Sequence, residues 1–407
     1  MSHSAPRLAG GHRLQLLEGT REFFPSLIAA MDAAQHEIHF ETYIFDFTNT
    51  GADVAEALER AALRGVRTRV AVDGLGTGTV PAAWAHRLQS AGVQWRVYSP
   101  VNALALLLPT RWRRLHRKLC VVDGRVAFCG GVNVLDDFHD PSYGKLEAPR
   151  LDFAVRISGP LVADVHDSVA QLWRRLQAVH DLRRKELQKA VQTLLEDDEE
   201  PVAVEGPATI PSSRLPLARA ALVLRDNLRN RKRIERAYLK AIGAARREVI
   251  IANAYFIPGR RLRNALVLAA RRGVRVQLLL QGRYEYFMQY HASRPVYGGL
   301  LAEGVEIYEY APSFLHAKVA VVDSHWATVG SSNLDPLSLL LAREANVVIE
   351  DEQFAQTLRA RLLVAMQDEG TRMEQASYGR RGYVQRCKEY VAMLVVRAAL
   401  FITGKRY

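Results

Sequence analysis

His116, Lys118 and Asp123 follow the spacing His-x-Lys-x-x-x-x-Asp, and His316, Lys318 and Asp323 follow it again 200 positions later. Each copy leads to a glycine, Gly130 or Gly330, and then to an asparagine, Asn133 or Asn333. In a strand, side chains two apart share a face, so His and Lys of one copy converge on one ligand. Asp123 and Asp323 complete the candidate catalytic set. Their odd offset from His, just before Gly124 or Ser324, nevertheless suits a turn cap or an ion pair with Lys better than direct chemistry. The glycines let backbone approach closely, and the asparagine amides can donate to phosphate oxygens.

Two imidazoles, two ammonium groups and two amides around one cleft suit a phosphodiester. One neutral His attacks phosphorus in line, and the other, protonated, hands its proton to the leaving alcohol oxygen. Lys118, Lys318, Asn133 and Asn333 then stabilise the equatorial oxygens. This chemistry calls for no metal and no cofactor. A phosphohistidine is resolved by water or by a second alcohol, with the second His as base. Asp152 in RLDFAV and Glu344 in REANVV follow their motifs in strand-like segments; they either orient the imidazoles or serve as ordinary caps or ion pairs. A lone strand His is more often a satisfied core residue, so the repetition is what carries the reading.

The elements that must position these groups are duplicated as well. AAQHEIHFETYIF at 33–45 corresponds to AARREVIIANAYF at 244–256, and EALERAALRGVRTRVAVDG at 56–74 to RNALVLAARRGVRVQLLLQG at 263–282. AGVQWRVY at 91–98 pairs with EGVEIYEY at 303–310, and the His motifs follow in the same order. Alternating strands and amphipathic helices predict an α/β fold of two tandem α/β/α sandwich lobes with a shared site between them. Each sheet is expected to be largely parallel. Residues 1–180 form the first lobe, 181–216 a charged, proline-containing linker, 217–375 the second lobe and 376–407 an amphipathic, membrane-associating tail.

A net charge of +12 implies an anionic partner, and charge alone does not separate nucleic acid from an acidic membrane. Cys120, Cys129 and Cys387 have neither disulfide-framework nor zinc-site spacing. The N-terminus reads as no signal peptide, and no apolar run reaches a spanning length. The first half carries extra residues before its His, an apolar run with Leu106 and Leu107 followed by Trp112, Arg113 and Arg114. That composition suits either a membrane contact or a buried loop over the sheet edge. The tail, YVQRCKEYVAMLVVRAALFITGKRY, reads as an in-plane interfacial helix or as a helix packed on the second lobe.

RLHRKLCVVDGRVAFCGGVN, REVIIANAYFIPG and HWATVGSSNLDPLSLLLAREANVVI resemble the phospholipase D superfamily and, more narrowly, the cardiolipin synthase B group of bacterial enzymes, over about residues 12 to 370. The resemblance implies transfer of a phosphatidyl group between two phosphatidylglycerol molecules through a phosphohistidine on His116, with release of glycerol. It also implies phosphatidylglycerol and other anionic phospholipids as partners; the apolar insertion and tail, which nucleic acid does not call for, then suit peripheral attachment to the cytoplasmic face of the bacterial inner membrane, with no nucleic acid expected. A phosphodiesterase hydrolysing phospholipid or nucleic acid is the alternative. One departure stands out: Gly131 occupies the position where the second half has Ser331 and many superfamily members have Ser.

Overall fold

The computed structural model describes residues 7–100, 113–184, 186–195, 217–226, 230, 232–284, 287–335, 342–379 and 381–402. Leu106, Leu107 and Trp112, most of the linker and residues 403–407 lie outside this set. The first half runs β1 (Ala9–Glu18), α1 (Gly19–Asp32), β2 (Glu37–Thr42), α2 (Asn49–Leu63), β3 (Arg67–Asp73), α3 (Ala82–Ala91), β4 (Gln94–Tyr98), β5 (Arg114–Leu115), β6 (Lys118–Val122) and β7 (Val126–Gly130). The small hairpin β8 (His139–Asp140) and β9 (Gly144–Lys145), then β10 (Phe153–Ser158), α4 (Leu161–Arg183) and α5 (Leu187–Leu195), complete it. The second half has β11 (Ala218–Arg225), α6 (Arg233–Ala244), β12 (Glu248–Asn253), α7 (Arg260–Arg271), β13 (Arg275–Gln281), α8 (Phe287–Leu301) and β14 (Glu306–Tyr310). β15 (Lys318–Val322), β16 (Trp326–Gly330), β17 (Ala342–Glu350), α9 (Glu352–Gln367), β18 (Gly370–Arg372), α10 (Gln375–Gly379) and α11 (Tyr383–Ile402) follow.

Strand order shows the duplication directly. β14-β13-β12-β15-β16-β17-β11 is followed by β1-β10-β7-β6-β2-β3-β4, the same succession in reverse, so β11 and β1 meet at a pseudo-two-fold axis. Pairing there is sparse, Ala9 with Ala220 and His12 with Ala218. Much of the union is apolar instead: Leu119, Val121, Cys129 and Val155 of the first half share one buried cluster with Val319, Val321, Val329 and Val347 of the second. Burial of each such aliphatic side chain contributes about 1.5–3 kcal/mol to holding the halves together.

The expectation of a largely parallel sheet is corrected. Among the described strands of each half, β2-β3-β4 and β12-β13-β14 are parallel, and the other strand pairs are antiparallel. The reason is local. Each His motif ends in a tight turn, Asp123-Gly124 or Asp323-Ser324, whose residues have φ between 50° and 61°, and such a turn folds the strand back as a hairpin.

Along α11, one side packs on α8, with Ala392 buried. Its lone acid, Glu389, is buried too and paired with Arg381, whereas Tyr383, Val384, Tyr390, Val391, Leu394 and Val395 are exposed. No helix among the described residues is long and apolar enough to cross a membrane.

Candidate active site

Each His sits just before a buried strand and is fixed by backbone from the other half. Leu115 of β5 pairs in parallel with Arg343 of β17, and the His116 amide donates to the Arg343 carbonyl at 3.1 Å. The mirror arrangement joins Leu315 to Leu151, with the His316 amide on the Leu151 carbonyl at 2.9 Å. The acids next in sequence to Arg343 and Leu151, Glu344 and Asp152, therefore meet the opposite imidazole. His116 Nδ1 lies 3.1 Å from Glu344, and His316 Nδ1 lies 2.6 Å from Asp152. With Nδ1 occupied, Nε2 is the nitrogen left for chemistry, and the rings retain 16% and 19% exposure at the cleft.

Lys118 and Lys318 are buried beside them, each ammonium donating to the carbonyl of its own motif histidine. Lys118 also lies 5.5 Å over the Tyr43 ring, and that ring packs 4.8 Å from His116. Two lysines and two carboxylates share this interior, which compensates the cost of burying each charge; removal of one member would leave its partner unpaired at about 3–5 kcal/mol.

Electrostatically the two pairs are unlike. Burial would raise the Glu344 pKa, but the His116 ring, Lys118 and the Ser331 hydroxyl outweigh it and hold the carboxylate below its ordinary value. Asp152 has no such hydroxyl. Burial pushes it up to about 7 against the pull of Lys318 and the Phe153 amide. Gly131 explains the difference sterically, because a Cβ there would fall 2.2 Å from Asp152 Oδ1, whereas Ser331 reaches the longer Glu344 and also accepts from the Ala345 amide at 3.1 Å. Burial lowers the pKa of both histidines; for His316 the two lysines and His116 add to it and carry it well below the ordinary value. Burial likewise pushes Lys118 down to about 7.

Asp123 and Asp323 do not join this cluster. They lie at the far end of β6 and β15, where Asp123 accepts from the amides of Gln35, His36 and Glu37 at 2.8–2.9 Å and Asp323 from those of Arg246, Arg247 and Glu248 at 2.8–3.0 Å. The five-residue strand separates them from the imidazoles, so placing them with the catalytic groups is corrected: they cap turns. Asp123→Ala should destabilise the fold by about 3 kcal/mol through orphaned amides, read as a lowered unfolding midpoint, while turnover per folded molecule changes less than about twofold.

Asn133 is buried and accepts from the Ile44 amide at 3.2 Å; Asn333 is buried with Oδ1 making no hydrogen bond. Arg114 is half-buried in β5, whose backbone pairs with β17, and its guanidinium donates to the Arg113 carbonyl at 3.3 Å. Arg113 is also half-buried.

A family model described as "Cardiolipin synthase, PLD-like domain" matches residues 27–139 and 238–363, the segments that carry both motifs. The chain belongs to this phospholipase D-like family. Cardiolipin synthase B of Escherichia coli strain K12 is 40% identical over 362 residues, 86% of this chain and 80% of that protein. Cardiolipin synthase B of Salmonella typhi is 39% identical, covering 95% and 88%. Phosphatidylserine synthase of Haemophilus influenzae Rd KW20 shares the fold, with a TM-score of 0.65 at 14% identity over 96% of this chain and 94% of that one.

Sequence reasoning missed three supports of this phospholipase D-like site. Asp73 and Gln281 end β3 and β13 and accept from the amides of Leu115 and Leu315, at 2.8 and 3.1 Å, fixing the residue before each His. A signal was available: both are polar ends of buried strands at equivalent places in the repeat. Tyr43 left none, since its counterpart is Ala254.

Proposed function

We propose that the chain is a cardiolipin synthase that moves a phosphatidyl group from one phosphatidylglycerol to the glycerol hydroxyl of another, releasing glycerol. The observation that carries the chemistry is the crossed pairing of His116 with Glu344 and His316 with Asp152; the lipid substrate is taken from the relatives. In the first step His116 Nε2 attacks phosphorus, the bond to the headgroup glycerol oxygen breaks, and His316 gives that oxygen its Nε2 proton. In the second, His316 takes the proton of the incoming hydroxyl, whose oxygen attacks phosphorus as the bond to His116 breaks. Lys118, Lys318, Asn133 and Asn333 hold the non-bridging oxygens.

The unlike pairs support His116 as nucleophile. An ionised Glu344 accepts from Nδ1–H and leaves the Nε2 lone pair free. Near neutrality the His316–Asp152 pair holds a proton that its counterpart lacks, so it is suited to donate; it titrates as a unit. The expected kcat/KM therefore falls on the acid side as His116 protonates. It falls above pH of about 7 as the His316–Asp152 pair and Lys118 lose their protons. Asp152→Asn, which removes the pair's extra proton and its carboxylate, should lower kcat/KM and move the alkaline limb downward in a pH profile.

We place the enzyme peripherally on an anionic membrane, on the cytoplasmic face. The exposed aromatic and aliphatic side of α11, whose single carboxylate is turned inward, suits a seat among headgroups. Purified protein with phosphatidylglycerol vesicles should yield cardiolipin and an equal amount of free glycerol by mass spectrometry. Phosphatidic acid as the sole product would reduce the reading to a hydrolase.

A further inference from the structure

The halves also differ at the end of the sheet away from the cleft. In the second half Glu248 of β12 pairs with Arg359 of α9, Oε2 to Nη2 at 3.0 Å, and accepts from Ser324 at 2.9 Å. The first half keeps the carboxylate as Glu37 on β2. Leu161, Val165 and Val169 of α4 fill the shared core as Phe354, Leu358 and Leu362 of α9 do, so His166, after the second of these, stands where Arg359 does. His39 stands where the repeat has Ile250. One guanidinium and one aliphatic group have thus been exchanged for two imidazoles around a retained glutamate.

Their geometry is that of ligands. Glu37 and His39, two apart on β2, face α4. His166 Nε2 lies 2.9 Å from Glu37 Oε1, and His39 Nε2 lies 3.5 Å from Oε2 without forming a hydrogen bond. The rings stand 5.4 Å apart at 81°, one donor atom from each residue falls within 4.8 Å of the others, and all three residues are at most 2% exposed. Ligands on a tetrahedral ion with bonds near 2.0–2.1 Å are separated by about 3.3 Å, which the two observed separations bracket. Arg67, its side chain 38% exposed, pairs from outside with the same oxygen, Nη2 lying 3.6 Å from Glu37 Oε2. Two imidazoles and a carboxylate are a donor set that zinc takes with its fourth tetrahedral position left open, and one that iron(II) shares.

We propose that Glu37, His39 and His166 form a structural site for a divalent transition ion, zinc foremost, that clamps α4 to β2. The test titrates the tag-free full chain, stripped by chelator, with Zn²⁺ and with Co²⁺ alone. A single ion per chain is expected, with a visible Co²⁺ absorption band of tetrahedral type, and zinc in excess should raise the melting temperature by about 5 °C. The double variant His39→Ile/His166→Arg rebuilds the arrangement that the second half already folds with; it should lose both the band and the shift. Glu37→Gln, isosteric and so less disruptive, should weaken binding at least about tenfold. A folded wild-type chain that takes up no Co²⁺, or variants that bind as the wild type does, would overturn the proposal and leave a hydrogen-bonded clamp.

Discussion

Replacing His116 by alanine should lower phosphatidyl transfer by at least about 10⁴-fold while the protein still folds and sediments with vesicles. The imidazole carries the bond-forming lone pair, and water cannot substitute for it in the first step. His316→Ala is expected to be nearly as severe on phosphatidylglycerol, because glycerol leaves as a poor alkoxide without a proton. The two losses separate when the leaving group no longer needs that proton. With a p-nitrophenyl phosphodiester the His316→Ala chain should release nitrophenolate in a burst and accumulate phosphorus on His116, whereas His116→Ala stays inert. If His316→Ala were the inert one, the roles would be exchanged.

Glu344→Gln should lower kcat by about 10²–10⁴-fold, the range expected when a buried acid that orients a catalytic imidazole is neutralised. The acid is in the second half, its imidazole in the first, 228 positions away and 3.1 Å distant. Because Glu344 acts through His116, the double variant His116→Ala/Glu344→Gln should be no slower than His116→Ala alone. Additive losses would mean that Glu344 serves something other than His116. Asp152→Asn combined with His316→Ala gives the mirror cycle.

Much of the site was readable because its signals are local. The repeated motif, the two-residue spacing of His and Lys and the acids Asp152 and Glu344 all stand in strand-like text, and the buried strands announce themselves through runs such as VQLLLQ. Two expectations turn on the same short turn. Asp123 and Asp323 complete the motif, but their odd offset from His already favours turn caps, and a strand of five residues carries them to the other end of the sheet. The sheet was expected to be parallel because helices alternate with strands over much of each half. The hairpin turn that reverses each His strand is encoded by only two residues, Asp-Gly or Asp-Ser.

By itself the sequence determined that two equivalent halves exist, which residues each contributes, and that the chemistry is that of a phosphodiester. Those are properties of neighbouring residues and of text compared with itself. Only the tertiary structure decided which acid faces which imidazole, and that Ser331 makes the two pairs unequal. Contacts between residues 228 and 164 positions apart arise from β5 adding to β17 and Leu315 adding beside Leu151. No periodicity along the chain reports a strand added by the other half, so the crossing is invisible until the halves are docked.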